Sequence, residues 1–289
     1  MLGLTQGNPV SSGAILSYFR LDFSSYTGLA KEMKGSLPLI GRIFMNIGDE
    51  ASRLAFLAPR HAAGNHAIIA LLDHLAWESG NRGAYRFLAE MDEDDEAFEC
   101  FRMAGFSVYT RQQIWKIPLD PSLQTELEGE WQLLQSFDVH DVQNLNHAIV
   151  PPLVQGAEGL DKRPIRGFVY RINGELLAFV EVISGPSGVY LIPVFHPNLQ
   201  EPREVLSAMI SKVNGQNGKK IYLAIRDYQS WLQSALEDLN GKSSTRKVLM
   251  VKHLVHRQKV AALNPIRKVL EAHGTEPTAP IAQHMRRKK

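Results

Sequence analysis

The sequence predicts an α/β (α+β) chain built from two similar units, each a mixed, mostly antiparallel sheet flanked by helices. Three observations predict it. Apolar residues switch along the chain between the two-residue period of strands and the three-to-four-residue period of helices. The order strand, strand, helix, strand, helix, strand is legible twice. The residues that punctuate it recur at nearly the same interval, Pro59 to Gly105 and then Pro197 to Gly241.

In the first unit, Arg42 to Ile47 and Ser52 to Ala58 flank the polar turn Gly48-Asp49-Glu50 and form a hairpin stopped by Pro59. From Asn65 onward, Ile68, Leu71, Leu72, Leu75 and Ala76 make one apolar helical stripe, which ends at Gly80 and Gly83. Tyr85 to Met91 follows as a short, mostly buried strand. The acidic run Asp92 to Glu96 suits the start of a second helix, where free N–H groups carry partial positive charge. That helix turns Ala97, Phe98, Phe101 and Ala104 inward and stops at Gly105, with Phe106 folding back on it. Ser107 to Ile117 closes the unit as a strand.

A linker around Pro118 and Pro121, a helical stretch near Leu123 to Phe137 and a loop near Pro151-Pro152 lead to the second unit. There, Gly167 to Arg171 and Glu175 to Ile183 flank Asn173-Gly174, a pair that favours positive φ and hence a tight hairpin. Val189 to Phe195 is the next strand, with Pro193 inside it. A helix starts near Pro202, which has no N–H to leave unpaired, and carries Val205, Leu206, Met209, Ile210 and Val213. Lys220 to Arg226, the helix Tyr228 to Leu239 and the strand Arg246 to Val255 complete the repeat. The units meet near residue 119, giving expected domains 1–118 and 119–257, with 258–289 as an extension whose basic end, Arg286 to Lys289, is solvated.

Composition narrows the function. In 289 residues, 32 Lys+Arg stand against 30 Asp+Glu, far from the concentrated positive field of a protein built on phosphate contacts, so no nucleic-acid partner is expected. Cys100 is the only cysteine, which excludes an intramolecular disulfide and a multi-thiolate zinc site and fits a reducing cytoplasm. No apolar stretch approaches the roughly 20 residues that span a bilayer, so no membrane partner is expected either. His61, His66 and His74 lack a carboxylate or cysteine placed to complete a metal site, and no metal is assigned.

The stretch Leu54 to Ile117 resembles the GNAT acyltransferase superfamily. Its strand ending in Pro59, its helix with Leu71-Leu72 and its closing Phe101-Arg102-Met103-Ala104-Gly105-Phe106 are similar to the family's core, with Phe101 where the family's Tyr-x-x-x-Gly-Phe ending has tyrosine. Val194-Phe195-His196-Pro197 and Leu236 to Gly241 repeat the resemblance in the second unit. It implies acetyl-CoA as acyl donor, held where the fourth and fifth strands of a unit splay apart. It implies a small-molecule or peptide amine as acceptor.

In that family small residues let backbone N–H groups and a helix N-terminus approach the pyrophosphate. The resemblance places these positions on Leu57, Ala58, Arg60, Ala63, Gly64, Asn65, His66 and Ala67, although the family's glycine spacing is not kept. The second unit's loop, His196 to Pro202, has no glycine and carries Glu201, so it is not expected to hold CoA in the family's way. The family's proton-donating tyrosine is replaced by Phe101 and Leu236. Glu90 and Glu181 are the carboxylates to examine as bases, Tyr109 and Tyr228 the alternative donors, and no catalytic residue is assigned. The chain is therefore expected to be an N-acetyltransferase or, alternatively, a catalytically inactive binding or regulatory protein on the same fold.

Overall fold

The computed structural model describes residues 23–30, 38–46, 48–59, 65–118, 127–159, 165–214 and 219–254. The expected extension, 258–289, the linker residue Pro121 and the start of the expected helix, 123–126, lie outside them.

The first half consists of β1 (Phe23–Ala30), β2 (Leu39–Asn46), β3 (Ala51–Ala58), α1 (Asn65–Asn81), β4 (Arg86–Asp92), α2 (Phe98–Met103) and β5 (Ser107–Ile117). The second opens with β6 (Glu130–Leu133), α3 (Val139–Ile149) and α4 (Pro152–Glu158), then β7 (Gly167–Ile172), β8 (Glu175–Ser184) and β9 (Gly188–Phe195). It ends with α5 (Pro202–Asn214), β10 (Lys220–Arg226), α6 (Gln233–Asp238), β11 (Lys242–Ser243) and β12 (Lys247–His253). The order β2-β3-α1-β4-α2-β5 thus recurs as β8-β9-α5-β10-α6-β12. In both halves the helix between two strands makes a crossover, so β4 runs parallel to β3 and β10 parallel to β9, while other neighbours are antiparallel.

The halves share one sheet, ordered β1-β2-β3-β4-β12-β5-β10-β9-β8-β7-β6. Its centre is a strand exchange that the sequence does not announce. β12, from the end of the second half, inserts between β4 and β5 of the first, pairing Leu249 with Glu90 on one edge and with Thr110 on the other. β5 in turn pairs with β10, Gln112 opposite Arg226 and Ile117 opposite Ile221. Each closing strand therefore completes the other half's sheet.

Alternation sends side chains of this sheet to two faces. One face packs under α1, α2, α5 and α6, with Leu71, Leu72, Phe87 and Met250 in one core and Leu206, Met209, Leu223 and Leu236 in the other. The opposite face packs against α3 and α4, where Val142, Val154, Val169 and Phe179 form a smaller core. The Asn173-Gly174 turn joins β7 to β8 with φ of 50° and 87°, the left-handed pair its sequence favours.

Three expectations change. Part of the predicted helix Leu123 to Phe137 is the edge strand β6, because pairing with β7 buries Trp131, whose indole N–H donates to Val205 O at 2.9 Å. Tertiary pairing outweighs the helical preference of so short a segment. The expected loop at Pro151-Pro152 is the start of α4, with Pro152 in its first turn. The acidic run Asp92 to Glu96 lies in strand end and turn rather than opening a helix. Asp92 accepts Lys247 Nζ at 2.7 Å, Glu93 accepts Arg111 Nε at 2.6 Å, and Asp95 accepts the Ala97 N–H just before α2 starts at Phe98.

Candidate functional site

A parallel pair joined by a crossover helix leaves a gap when its strands diverge, and both halves have one. β3 pairs with β2 as far as Ala58 opposite Ile40, but with β4 only through Ala51, Ser52 and Arg53. From Leu54 to Ala58 its other edge has no strand partner among the described residues, and its side chains are half-buried. Backbone N–H and C=O groups need partners, so such an edge favours a ligand or water that supplies them. α1 begins just past it, and its first turn carries no acidic side chain to oppose an anion.

The expected cofactor residues border this gap where they are described. Leu57 and Ala58 end β3, half-buried; Asn65 begins α1, followed by exposed His66 and buried Ala67. Arg60, Ala63 and Gly64 lie outside the described residues, as does His61.

In the second half β9 pairs with β10 only from Gly188 to Leu191 and then diverges. Pro193 stands two residues beyond that last pair and has no N–H to leave unmade. The end of this gap is filled from within. Gln229, 1% exposed, accepts the Phe195 N–H at 2.9 Å and donates to Phe195 O at 3.2 Å, so one side-chain amide satisfies the strand as a neighbouring strand would. Glu204 lies in the first turn of α5. The two gaps thus share a topology and differ, among the described residues, in what fills them.

A polar cluster occupies the sheet face toward α3 and α4, where the halves meet. Gln112 of β5 donates through Nε2 to Glu90 Oε1 of β4 at 3.1 Å and to the Tyr190 hydroxyl of β9 at 3.3 Å. Arg226, ending β10 opposite Gln112, lies 2.7 Å from Glu158 Oε1 at the end of α4, and the Tyr109 hydroxyl donates to the same oxygen at 3.0 Å. Burial, and then the Glu158 charge, push the Tyr109 phenol well up; burial, and then Glu90, do the same to Tyr190. Burial also raises Tyr228, against the opposing pull of Arg226. Burial alone would lower the Arg226 pKa, but Glu158 and the tyrosines around it reverse the direction, so the guanidinium stays charged. All three phenols are therefore protonated donors at neutral pH.

Of the residues singled out in the sequence, Glu90, Tyr109 and Tyr228 come together here. Buried Glu181 of β8 acts electrostatically on Tyr228. Phe101 and Leu236, at 2% and 0% exposure, lie instead in the two main cores on the opposite face. Cys100 is buried beside Phe101, and burial pushes its thiol up. His74 bonds the Tyr26 hydroxyl at 2.8 Å, and among the described residues no group of three or more His, Cys, Asp or Glu is arranged to hold a metal. Nor is any described helix long and apolar enough to cross a membrane. Sequence reasoning missed Arg226, Glu158, Gln112, Tyr190 and Gln229. The one available signal was Arg226 closing the otherwise apolar run Ile221 to Ile225.

No family model and no curated protein matches the chain. Solved structures do match. A GCN5-related N-acetyltransferase from Sphaerobacter thermophilus is 11% identical, with 86% of this chain and 89% of that one covered and a TM-score of 0.56. A functionally unknown conserved protein from Staphylococcus epidermidis is 13% identical over 71% of this chain and 85% of its own, with a TM-score of 0.52. A Drosophila protein is 12% identical over 80% and 79%, with a TM-score of 0.50. At these identities the likeness is one of fold: the mixed sheet and its flanking helices are those of the GNAT acyltransferases.

Proposed function

We propose that this chain, which has the GNAT fold, is an acetyl-CoA-dependent N-acetyltransferase acting on an amine, and that its first half holds the cofactor. The carrying observation is the difference between the two gaps: Gln229 fills the one beside β9, while the edge of β3 from Leu54 to Ala58 has no strand partner among the described residues. Leu57 and Ala58 would offer backbone groups to the amides of the pantetheine arm. The segment of Arg60, Ala63, Gly64, Asn65, His66 and Ala67, with the N-terminus of α1, would hold the pyrophosphate. When bound, acetyl-CoA supplies a thioester whose carbonyl an amine attacks. On this chain's side, Glu90 is the candidate to take the amine's proton and Tyr109 or Tyr228 the candidate to donate one. The acceptor is a small-molecule or peptide amine. Cys100, a single free and buried thiol, supports a cytoplasmic setting.

Titration calorimetry of acetyl-CoA into the full chain tests this, with one site per chain expected and Arg60→Ala weakening it by about tenfold, the worth of one charge-assisted phosphate contact. No heat at millimolar cofactor sinks the proposal. A second reading, a binding protein that has lost chemistry, is favoured by the burial of Phe101 and Leu236 where the family's resemblance expects a proton-donating tyrosine. It predicts cofactor binding without transfer to any amine.

A further inference from the structure

Arg226 is a charged side chain whose hydrogen-bonding capacity is only partly used. It is 5% exposed, and its Nη2 lies 2.7 Å from Glu158 Oε1. Nε and Nη1 are buried without a hydrogen-bond partner among the described residues. A guanidinium carries five N–H donors and cannot shed its charge, so burying two of its nitrogens unpaired is expensive. The neighbouring Gln112, 1% exposed, uses both Nε2 contacts, to Glu90 and to Tyr190, and leaves Oε1 buried and unpartnered. Two adjacent side chains on one sheet face thus present unmade bonds of opposite sense, cationic donors on one and an acceptor on the other.

The surroundings narrow what fits. An anion alone would receive the Arg226 donors but would meet Glu158 and Glu90 on the same face. A cation alone would suit Gln112 Oε1 but not Arg226. A molecule with a carboxylate and an ammonium a few bonds apart answers both. Tyr228, half-buried at the turn after β10, feels the charges of Arg226 and Glu158.

We propose that Arg226 and Gln112 form the recognition subsite for the acceptor, Arg226 taking a carboxylate and Gln112 an ammonium N–H, so that the acceptor is an α-amino acid. As an acceptor site this rests on the transferase reading; as a binding site it is measured without the cofactor. The probes are the common amino acids and their decarboxylated amines, each added to the full chain without acetyl-CoA and followed by thermal shift and saturation-transfer nuclear magnetic resonance. At least one amino acid binds, its decarboxylated amine binds at least tenfold more weakly, and Arg226→Lys, which keeps a cation beside Glu158, loses at least tenfold in affinity. Gln112→Leu leaves the Arg226 pair in place and also weakens the amino acid, which guards against a folding defect in the first variant. Equal binding of amino acid and amine, unchanged affinity in Arg226→Lys with its melting point retained, or no binding by any amino acid overturns the proposal. Amino-acid binding through Arg226 without any heat from acetyl-CoA upholds the subsite and sinks the transferase instead.

Discussion

Gln229 closes the second gap with two hydrogen bonds, and the cost of removing them follows from the geometry. In Gln229→Leu the volume is nearly kept, while Phe195 N–H and C=O lose partners at 2.9 and 3.2 Å in a place that water does not reach. Each buried backbone group left unpaired costs about 1–3 kcal/mol, so the variant loses about 2–6 kcal/mol. That is a large share of the roughly 5–15 kcal/mol available to a domain. Gln229→Ala adds a cavity and falls further. Gln229→Glu keeps an acceptor for the N–H but turns a carboxylate oxygen toward Phe195 O, so it loses more at neutral pH than in acid, where the carboxyl protonates and donates again. Urea unfolding followed by the fluorescence of the chain's four tryptophans gives the three differences. If Gln229→Leu stays within about 0.5 kcal/mol of wild type, the value of an ordinary surface change, the amide is not what satisfies β9 and the contrast between the gaps fails.

Alkaline pH tests the buried cluster. Tyr109, Tyr190 and Tyr228 all have folded pKa values raised, by burial first, above the unfolded value near 10. Their contribution is thus fully present below about pH 10 and is lost as pH rises toward the folded values, by up to about 1.4 kcal/mol per pH unit for each. Of the chain's eight tyrosines, at least these three should ionise only as the protein unfolds, seen in near-ultraviolet tyrosinate absorbance; all eight titrating together would refute the cluster. The strand exchange gives a separate test. A fragment ending at residue 118 lacks Val248 and Met250 from its core and the strand that joins β4 to β5. It should show no cooperative unfolding alone and should fold when the remainder of the chain is co-expressed; a cooperative melt of the isolated fragment would refute the exchange.

Periodicity located elements whose cores are local. The stripe Ile68, Leu71, Leu72 and Leu75 gave α1, the Asn-Gly turn gave the β7–β8 hairpin, and Ser107 to Ile117 is β5 to the residue. Pattern failed where the answer depends on a distant partner. β1, with Ser, Thr and Gly among its residues, is a strand because β2 pairs with it, and Glu130–Leu133 is one because β7 does. The repeated order foretold two similar halves but not the exchange, since a closing strand reads the same whichever neighbour it joins. The site was legible to the same degree. Glu90, Tyr109 and Tyr228 could be picked out as residue types able to move protons, but Glu158 and Gln112 matter only because α4 and β5 bring them beside Arg226.

Two halves of one topology need not carry two equal sites. Divergence of a parallel pair exposes backbone groups in each half, and each gap must be satisfied by something. In the second half a glutamine after β10 does so, at the expense of any ligand that would use the same backbone positions. By strand alternation β9 and β10 also contribute Tyr190 and Arg226 to the face at the seam. There β4 and β5 of the first half supply Glu90 and Gln112, held in register by β10 on one side and β12 on the other. Neither half owns the cluster. If the first gap holds the acyl donor and the seam holds the acceptor, the second half serves the reaction as the wall that selects what the first half acetylates, and loss of either half removes the acceptor site.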